Sequence, residues 1–172
     1  MLGPMIVSAA NLGLAYAERL LVGIDAKQFA RFARPGGVVV ASNHPAFVLG
    51  HLALYPARVL EFLGRPAAAA AAPAGWDAIF KAGVACQDDA DGTLYPPMSA
   101  LTETFLQSSR AAHAAVAAAS DAQLAAPNPA EGRSRELFPV VGGMITFYLV
   151  GHVQMHLGQL SAWRRAMGLP AA

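Results

Sequence analysis

The sequence contains few charged residues and almost no cysteine. Only 13% of its 172 residues are charged, and the formal net charge is +1. Such a chain has no basic patch to neutralise phosphates, so we do not expect nucleic acid as a partner. The single cysteine, Cys86, excludes an internal disulfide framework and is typical of a reducing environment. These absences favour a cytoplasmic protein.

Long hydrophobic runs are absent too, although 55% of the residues are hydrophobic. The longest apolar stretch, residues 138–151, is about 14 residues long, against the ~20 of a membrane-spanning helix. Residues 1–7 carry no positive charge ahead of their apolar residues, so we do not expect a secretory leader. The chain is long enough to bury its own core. We expect a single domain over residues 1–172, without contact with a membrane.

Apolar residues recur at three- and four-residue spacing, which indicates helices with one buried face. The alanine-rich run 66–75 is interpreted as a linker, and the acidic run 88–92 as a solvated loop. Helices of this length bury their apolar faces most simply in a four-helix bundle. The predicted fold is therefore all-α with long connections and a short extra helix. The four main helices and the extra helix are predicted at residues 4–23, 43–63, 97–119, 138–167 and 76–80.

Three of the five histidines lie in the middle of predicted helices. His51 interrupts the apolar face of the second helix, while His152 and His156 are neighbours on one face of the last helix. A buried imidazole is costly without a partner, which a metal ion or an ordinary hydrogen bond can supply. Three neutral imidazoles leave one coordination position open, as in catalytic sites. We therefore predict one divalent metal ion bound by His51, His152 and His156.

No acidic residue follows these histidines closely. Zinc proteases have a Glu directly after the first His, where this chain has Val153, and no Asp or Glu occurs after Glu136. Hydrolysis assisted by a carboxylate base is therefore disfavoured. A metal ion that binds a thiol lowers the thiol pKa and needs no such base.

Two segments of the sequence resemble the DinB/YfiT-like family of metalloenzymes. The first contains Asn43-His44-Pro45 and Gly50-His51-Leu52. The second runs from His152 through Gly158-Gln159 to the Arg-Arg-x-x-Gly-Leu-Pro of residues 164–170. The resemblance covers most of the chain in the order and spacing of its helices. It implies a four-helix bundle in which His51, His152 and His156 bind nickel or zinc.

The same resemblance implies a range of activities. Relatives include S-transferases and isomerases that use bacillithiol, mycothiol or glutathione, together with members that have no known reaction. Val153 and Leu157 replace the acidic and basic residues that often follow the two histidines, so the substrate class stays open. We expect transfer of a low-molecular-weight thiol to a small-molecule electrophile. Metal-dependent hydrolysis and a non-catalytic stress-response module that binds metal or ligand are the alternatives.

Three further residues are candidates for lining the pocket or supporting the ligands: His44, Tyr55 and Gln159. His44 lies on the same helical face as His51, but its position beside Pro45 favours a role at the helix start. Tyr55 is interpreted mainly as a core residue that can line a pocket. Gln159 can orient a ligand through a hydrogen bond. The apolar composition is also compatible with a homodimer.

Overall fold

The computed structural model describes all residues, 1–172, and its framework is helical. No β-strand is present, and only two isolated bridges occur, so the predicted all-α class is confirmed. The two ³₁₀ turns are Pro35–Gly37 and Ala67–Ala70, and a π-helical segment spans Phe147–Gly151. The α-helices are α1 (Leu2–Leu21), α2 (Pro45–Leu52), α3 (Pro56–Phe62), α4 (Trp76–Phe80), α5 (Met98–Ala117), α6 (Asp121–Ala125), α7 (Arg133–Leu137), α8 (Val141–Thr146) and α9 (His152–Ala166).

The long helices pack around a shared core. Helix α1 packs against both α5 and α9, and the pair α2–α3 packs against the same α5 while α2 also contacts α9. Large side chains such as Phe47, Phe80, Phe105 and Trp163 are almost completely buried between them. The arrangement is that of a four-helix bundle with long connections. No helix has both the length and the apolar character needed to cross a lipid bilayer.

The second helix is divided at Pro56, and the prediction of one helix over residues 43–63 is wrong there. Proline has no N–H group, so it cannot bond to the carbonyl of Leu52. That carbonyl instead accepts the Tyr55 N–H at 3.3 Å, and the His51 carbonyl accepts the Leu54 N–H at 3.2 Å. Helix α2 therefore ends one residue after His51, which lies in its last turn.

The last helix contains an extra residue in front of the histidine pair. The N–H of His152 bonds to the carbonyl of Phe147, five residues earlier. One inserted residue rotates everything after it by about 100° around the axis, so the π turn sets where His152 and His156 point. The last helix is predicted to begin at residue 138, whereas the structure begins it with α8 at Val141. A Cβ on Gly142 would lie 2.9 Å from the Leu124 carbonyl oxygen, so this glycine lets α8 approach α6.

The acidic run 88–92 is not a purely solvated loop, which corrects the prediction. Asp89 is only 5% exposed, and its carboxylate accepts the N–H groups of Thr93, Leu94 and Tyr95. Asp88 accepts hydrogen bonds from the side chains of Arg31 and Arg34 and from the Phe32 N–H. The two carboxylates therefore fix this loop in place. The 66–75 segment likewise contains a ³₁₀ turn whose Ala70 is buried.

Candidate metal centre

The structure brings the three predicted histidines together. Nε2 of His152 lies 3.1 Å from Nε2 of His51 and 3.1 Å from Nε2 of His156. One potential ligand atom from each residue lies within 4.8 Å of the others. His51 comes from the end of α2, while His152 and His156 come from consecutive turns of α9. The side chains of two separate helices therefore converge on one point.

Two of the imidazoles are oriented by hydrogen bonds from Nδ1, the ring nitrogen that points away from the cluster. Nδ1 of His51 donates a hydrogen bond to the carbonyl oxygen of Phe80 at 2.6 Å. Nδ1 of His156 donates to Oε1 of Gln159 at 3.0 Å. Because these oxygens only accept, each Nδ1 carries the proton and each Nε2 presents a lone pair. Hydrogen bonds of this kind orient metal-binding histidines in many proteins.

The three Nε2 atoms carry too few protons to form hydrogen bonds with one another. A proton on Nε2 of His152 can reach only one neighbour, and Nδ1 of the same ring is buried with no hydrogen-bond partner. Two nitrogens bound at about 2.0–2.1 Å to one ion stand roughly 3.0–3.4 Å apart, depending on coordination geometry. The observed 3.1 Å separations fall within that interval. The donor set therefore fits a divalent metal ion.

Burial keeps the three imidazoles neutral. Burial, together with the neighbouring His156 and His51, lowers the pKa of His152 to about 3. Burial also lowers the pKa of His51 and of His156, although the hydrogen bonds to Phe80 and Gln159 oppose the shift. Neutral imidazole is the form that binds a metal ion.

The Phe80 carbonyl is supported by a close contact with Gly50. A Cβ on Gly50 would lie 2.4 Å from the Phe80 ring, whose side chain is fully buried. The absence of a side chain at this position lets α4 approach α2, and the Phe80 carbonyl then reaches His51. The role of Phe80 is not visible in the sequence, because every residue has a carbonyl group and no side-chain pattern indicates which one is used.

Gln159 and Asn43 form a further contact beside the cluster. Nδ2 of Asn43 donates to Oε1 of Gln159 at 2.9 Å, the same oxygen that holds His156. This bond links the residues before α2 to α9 and fixes the amide orientation. Gln159 thus lies where its expected supporting role requires. The sequence does not indicate the Asn43 contact, because Asn43 and Gln159 are 116 residues apart and meet only through packing.

His44 does not join the cluster. It is the N-cap of α2, where its Nδ1 accepts the Phe47 N–H at 3.2 Å. Its Nε2 donates to the carbonyl oxygen of Gln87 at 2.8 Å, so both ring nitrogens are engaged. The imidazole is fully buried and does not line the cavity beside the cluster. The helix-start role is the one that the structure shows.

Tyr55 lines the cavity into which the cluster opens. Its hydroxyl oxygen lies 3.4 Å from Nε2 of His51, and its ring centroid lies 4.4 Å from that of His152. The cavity has a volume of about 660 Å³, and no Asp or Glu lines it. Its walls also include aromatic and basic side chains that the sequence did not indicate: Phe138, Phe147, Tyr148, Arg58, Lys81 and Arg133.

Cys86 and His113 are not part of this centre. Cys86 is half-buried, and burial raises the pKa of its thiol to about 11, so the thiolate is disfavoured. His113 is buried with its Nδ1 2.9 Å from Oδ1 of Asn11. Neither residue belongs to the group that converges on one point.

Comparison with known proteins identifies the family. The sequence model of the DinB superfamily matches residues 13–160, which include all three histidines, the whole of α2 and the first nine residues of α9. No curated protein and no solved structure gives a significant match. Since the match covers far more than half of the 172 residues, the chain belongs to the DinB superfamily.

Proposed function

We propose that the protein binds one divalent metal ion through Nε2 of His51, His152 and His156 and transfers a low-molecular-weight thiol to a small electrophile. The convergence of the three Nε2 atoms carries this proposal. Nickel and zinc are the proposed ions, since imidazole nitrogen suits both. A divalent ion in this position would lower the pKa of a bound thiol, so that the thiolate forms near neutral pH.

The surroundings of the cluster support binding of an exogenous molecule. Only three protein side chains converge, which leaves room for another ligand. His156 is partly exposed towards a cavity whose volume of about 660 Å³ lies in the range of small-molecule sites. Phe147 and Tyr148 contribute to its apolar wall. A small substrate can therefore lie directly beside the ion-binding atoms.

The absence of a carboxylate from the cavity favours the thiol reaction over carboxylate-assisted hydrolysis. No carboxylate lines the cavity. Burial raises the pKa of Tyr55, so its hydroxyl stays neutral and can donate a hydrogen bond to a ligand. A thiol whose proton is lost on metal binding needs no protein base, whereas carboxylate-assisted hydrolysis does. A reducing cytoplasm is the proposed location for such thiol chemistry.

A thiol-conjugation assay tests this function. Protein loaded with nickel or zinc is incubated with glutathione, bacillithiol or mycothiol and a panel of small electrophiles, and the loss of free thiol is followed. We expect turnover with at least one combination and its loss in His152→Ala, with retention in His113→Gln as the matched histidine control. Metal-loaded protein without turnover on any combination would contradict transferase activity and support the non-catalytic binding module.

The homodimer also remains a proposal. Met5 and Leu12 lie seven residues apart on α1, therefore on one face, and are 70% and 71% exposed. Exposed apolar side chains on one helix face suit contact with a second copy. Native mass measurement at micromolar concentration distinguishes a dimer from a monomer, and Leu12→Glu should shift a dimer towards monomer.

A further inference from the structure

Three basic side chains line the cavity beside the histidine cluster. They are Arg58 of α3, Lys81 just after α4, and Arg133 at the start of α7. The guanidinium carbon of Arg58 lies 5.3 Å from the centre of the Tyr55 ring, and that ring lies 4.4 Å from the ring of His152. Arg58 is therefore separated from the cluster by one aromatic ring. A small molecule in the cavity can reach both.

None of the three cations has an anionic partner in the protein. The four ion pairs of the structure involve other residues, and no side-chain hydrogen bond occupies Arg58, Lys81 or Arg133. Glu61 and Asp77 lie near Arg58 in an adjoining depression, but neither is within 4.0 Å of its nitrogens. Elsewhere in the molecule, Arg31 and Arg110 are paired with carboxylates. The cavity thus gathers positive charge that the protein leaves uncompensated.

The rest of the cavity wall is mainly apolar or aromatic. Leu137, Phe138, Met144 and Phe147 line it together with the cations, and no carboxylate does. The three cations are exposed to solvent at the edge of the cavity, and positive charge beside apolar walls favours a ligand with an anionic group attached to an apolar body. Arginine is suited to carboxylate groups because its planar guanidinium donates two parallel hydrogen bonds.

We propose that this cavity binds small molecules that carry a carboxylate, which Arg58 and Arg133 hold while the apolar part lies against Phe138 and Phe147. The proposal deepens the proposed function and rests on it for the role of the bound molecule. Lys81 adds positive charge to the same wall. Both reactants, the electrophile and the thiol, can carry a carboxylate, and paired ligands of each kind distinguish between them.

Paired ligands that differ only in charge test the proposal. Cinnamate and cinnamamide represent the electrophile, and 3-mercaptopropionate and 3-mercaptopropionamide represent the thiol. Their affinities for cobalt-loaded protein are measured by calorimetry and by the visible absorption of the cobalt. We expect the carboxylate of at least one pair to bind about tenfold or more tightly than its amide, as charge-assisted hydrogen bonds imply. The pair that shows the preference identifies the reactant that carries the anion.

Arginine variants distinguish specific binding of the carboxylate in the cavity from nonspecific electrostatic attraction to a positively charged protein. Arg58→Gln and Arg133→Gln should each lose most of the preference, and the double variant should lose all of it. Arg165→Gln removes the same charge from an exposed position on α9 outside the cavity and should keep the preference. Equal binding of carboxylate and amide would overturn the proposal. So would the absence of saturable carboxylate binding, or a preference unchanged in the double variant.

The same titrations on metal-free His152→Ala distinguish this proposal from the proposed metal site. The arginines do not depend on an ion, so a cinnamate preference that persists there supports the anion site independently of the metal. If the wild type takes up metal but neither pair shows a preference, the anion site is contradicted and the metal site stands. A carboxylate bound only by the metal would show a preference insensitive to Arg58→Gln and Arg133→Gln, which also contradicts the proposal.

Discussion

Nδ1 of His156 donates a hydrogen bond to Oε1 of Gln159, one turn further along α9, at 3.0 Å. The same oxygen accepts from Asn43, so one amide holds the imidazole and links it to the start of α2. This contact leaves Nε2 of His156 with its lone pair towards His152. The orientation of the proposed ligand is therefore built into a single helix.

Replacement of Gln159 should weaken metal binding. Gln159→Leu removes the acceptor for His156, and loss of such a contact typically costs about 10–100-fold in metal affinity. Gln159→Glu keeps acceptor oxygens and should retain most of the affinity. Competition with a chromogenic chelator measures both, with Gln154→Leu as an exposed control on the same helix. Equal affinity of Gln159→Leu and wild type would show that the contact does not orient the ligand.

Gly50→Ala should destabilise the fold and disturb His51. The added Cβ would lie 2.4 Å from the buried ring of Phe80, whose carbonyl holds the His51 ring. Overpacking of this kind costs about 1–3 kcal/mol in the free energy of unfolding. Gly158→Ala is the matched control, because its Cβ meets nothing within 4 Å and alanine favours helix. Urea unfolding compares the two, and a Gly50→Ala protein as stable as Gly158→Ala would contradict the contact.

Arg164 should contribute to stability far more than its neighbour Arg165. It is 3% exposed and donates to the carbonyl oxygens of Leu20 at 2.9 Å, Val22 at 2.5 Å and Pro170 at 2.7 Å. It thereby caps the end of α1, a role that its position in the last turns of α9 did not indicate. Arg164→Met should lower the free energy of unfolding by about 2–4 kcal/mol, since charged donors contribute strongly. The exposed Arg165→Met should change it by less than about 0.5 kcal/mol, and similar values for both variants would contradict the cap.

We expect protonation of Asp88 to lower the free energy of unfolding at acidic pH. The hydrogen-bonded guanidinium of Arg31 holds the pKa of this carboxyl well below its usual range, with help from the Phe32 N–H and Arg34. Because the folded state binds the proton less readily, the contribution is complete above the unfolded pKa of about 3.9 and is lost as the pH falls further. Asp88→Asn should be less stable at pH 7 and should lose less stability between pH 5 and pH 2. Urea unfolding across this range checks the slope, and parallel curves for the two proteins would exclude Asp88 as a contributor.

Much of the site follows from local spacing, and the remainder depends on packing. His152 and His156 are four residues apart on one helix, so their proximity follows from helix geometry. The approach of His51 required only that two apolar faces pack together. The carbonyl of Phe80 and the cations Arg58 and Arg133 come from other elements, and their positions depend on how short helices and loops fold over the bundle.

The differences between the predicted and the observed fold also arise from packing. Pro56 lies within an apolar pattern that continues through it, so periodicity alone predicted one helix where the structure has two. The π turn at Phe147–Gly151 adds one residue without a composition signal. The carboxylates of Asp88 and Asp89 find partners that are distant in sequence or depend on the loop conformation. Such features follow from tertiary contacts rather than from the local pattern.

Metal content measured by elemental analysis tests the central claim most directly. Wild type, His152→Ala and His113→Gln are purified without chelator, supplied with nickel or zinc, and freed of excess ion before measurement. We expect about one equivalent per chain in wild type and His113→Gln and well under one in His152→Ala, since three convergent imidazoles are needed to retain the ion. Folded wild-type protein that retains far less than one equivalent of any divalent metal, or His152→Ala that retains as much as wild type, would contradict the three-histidine site.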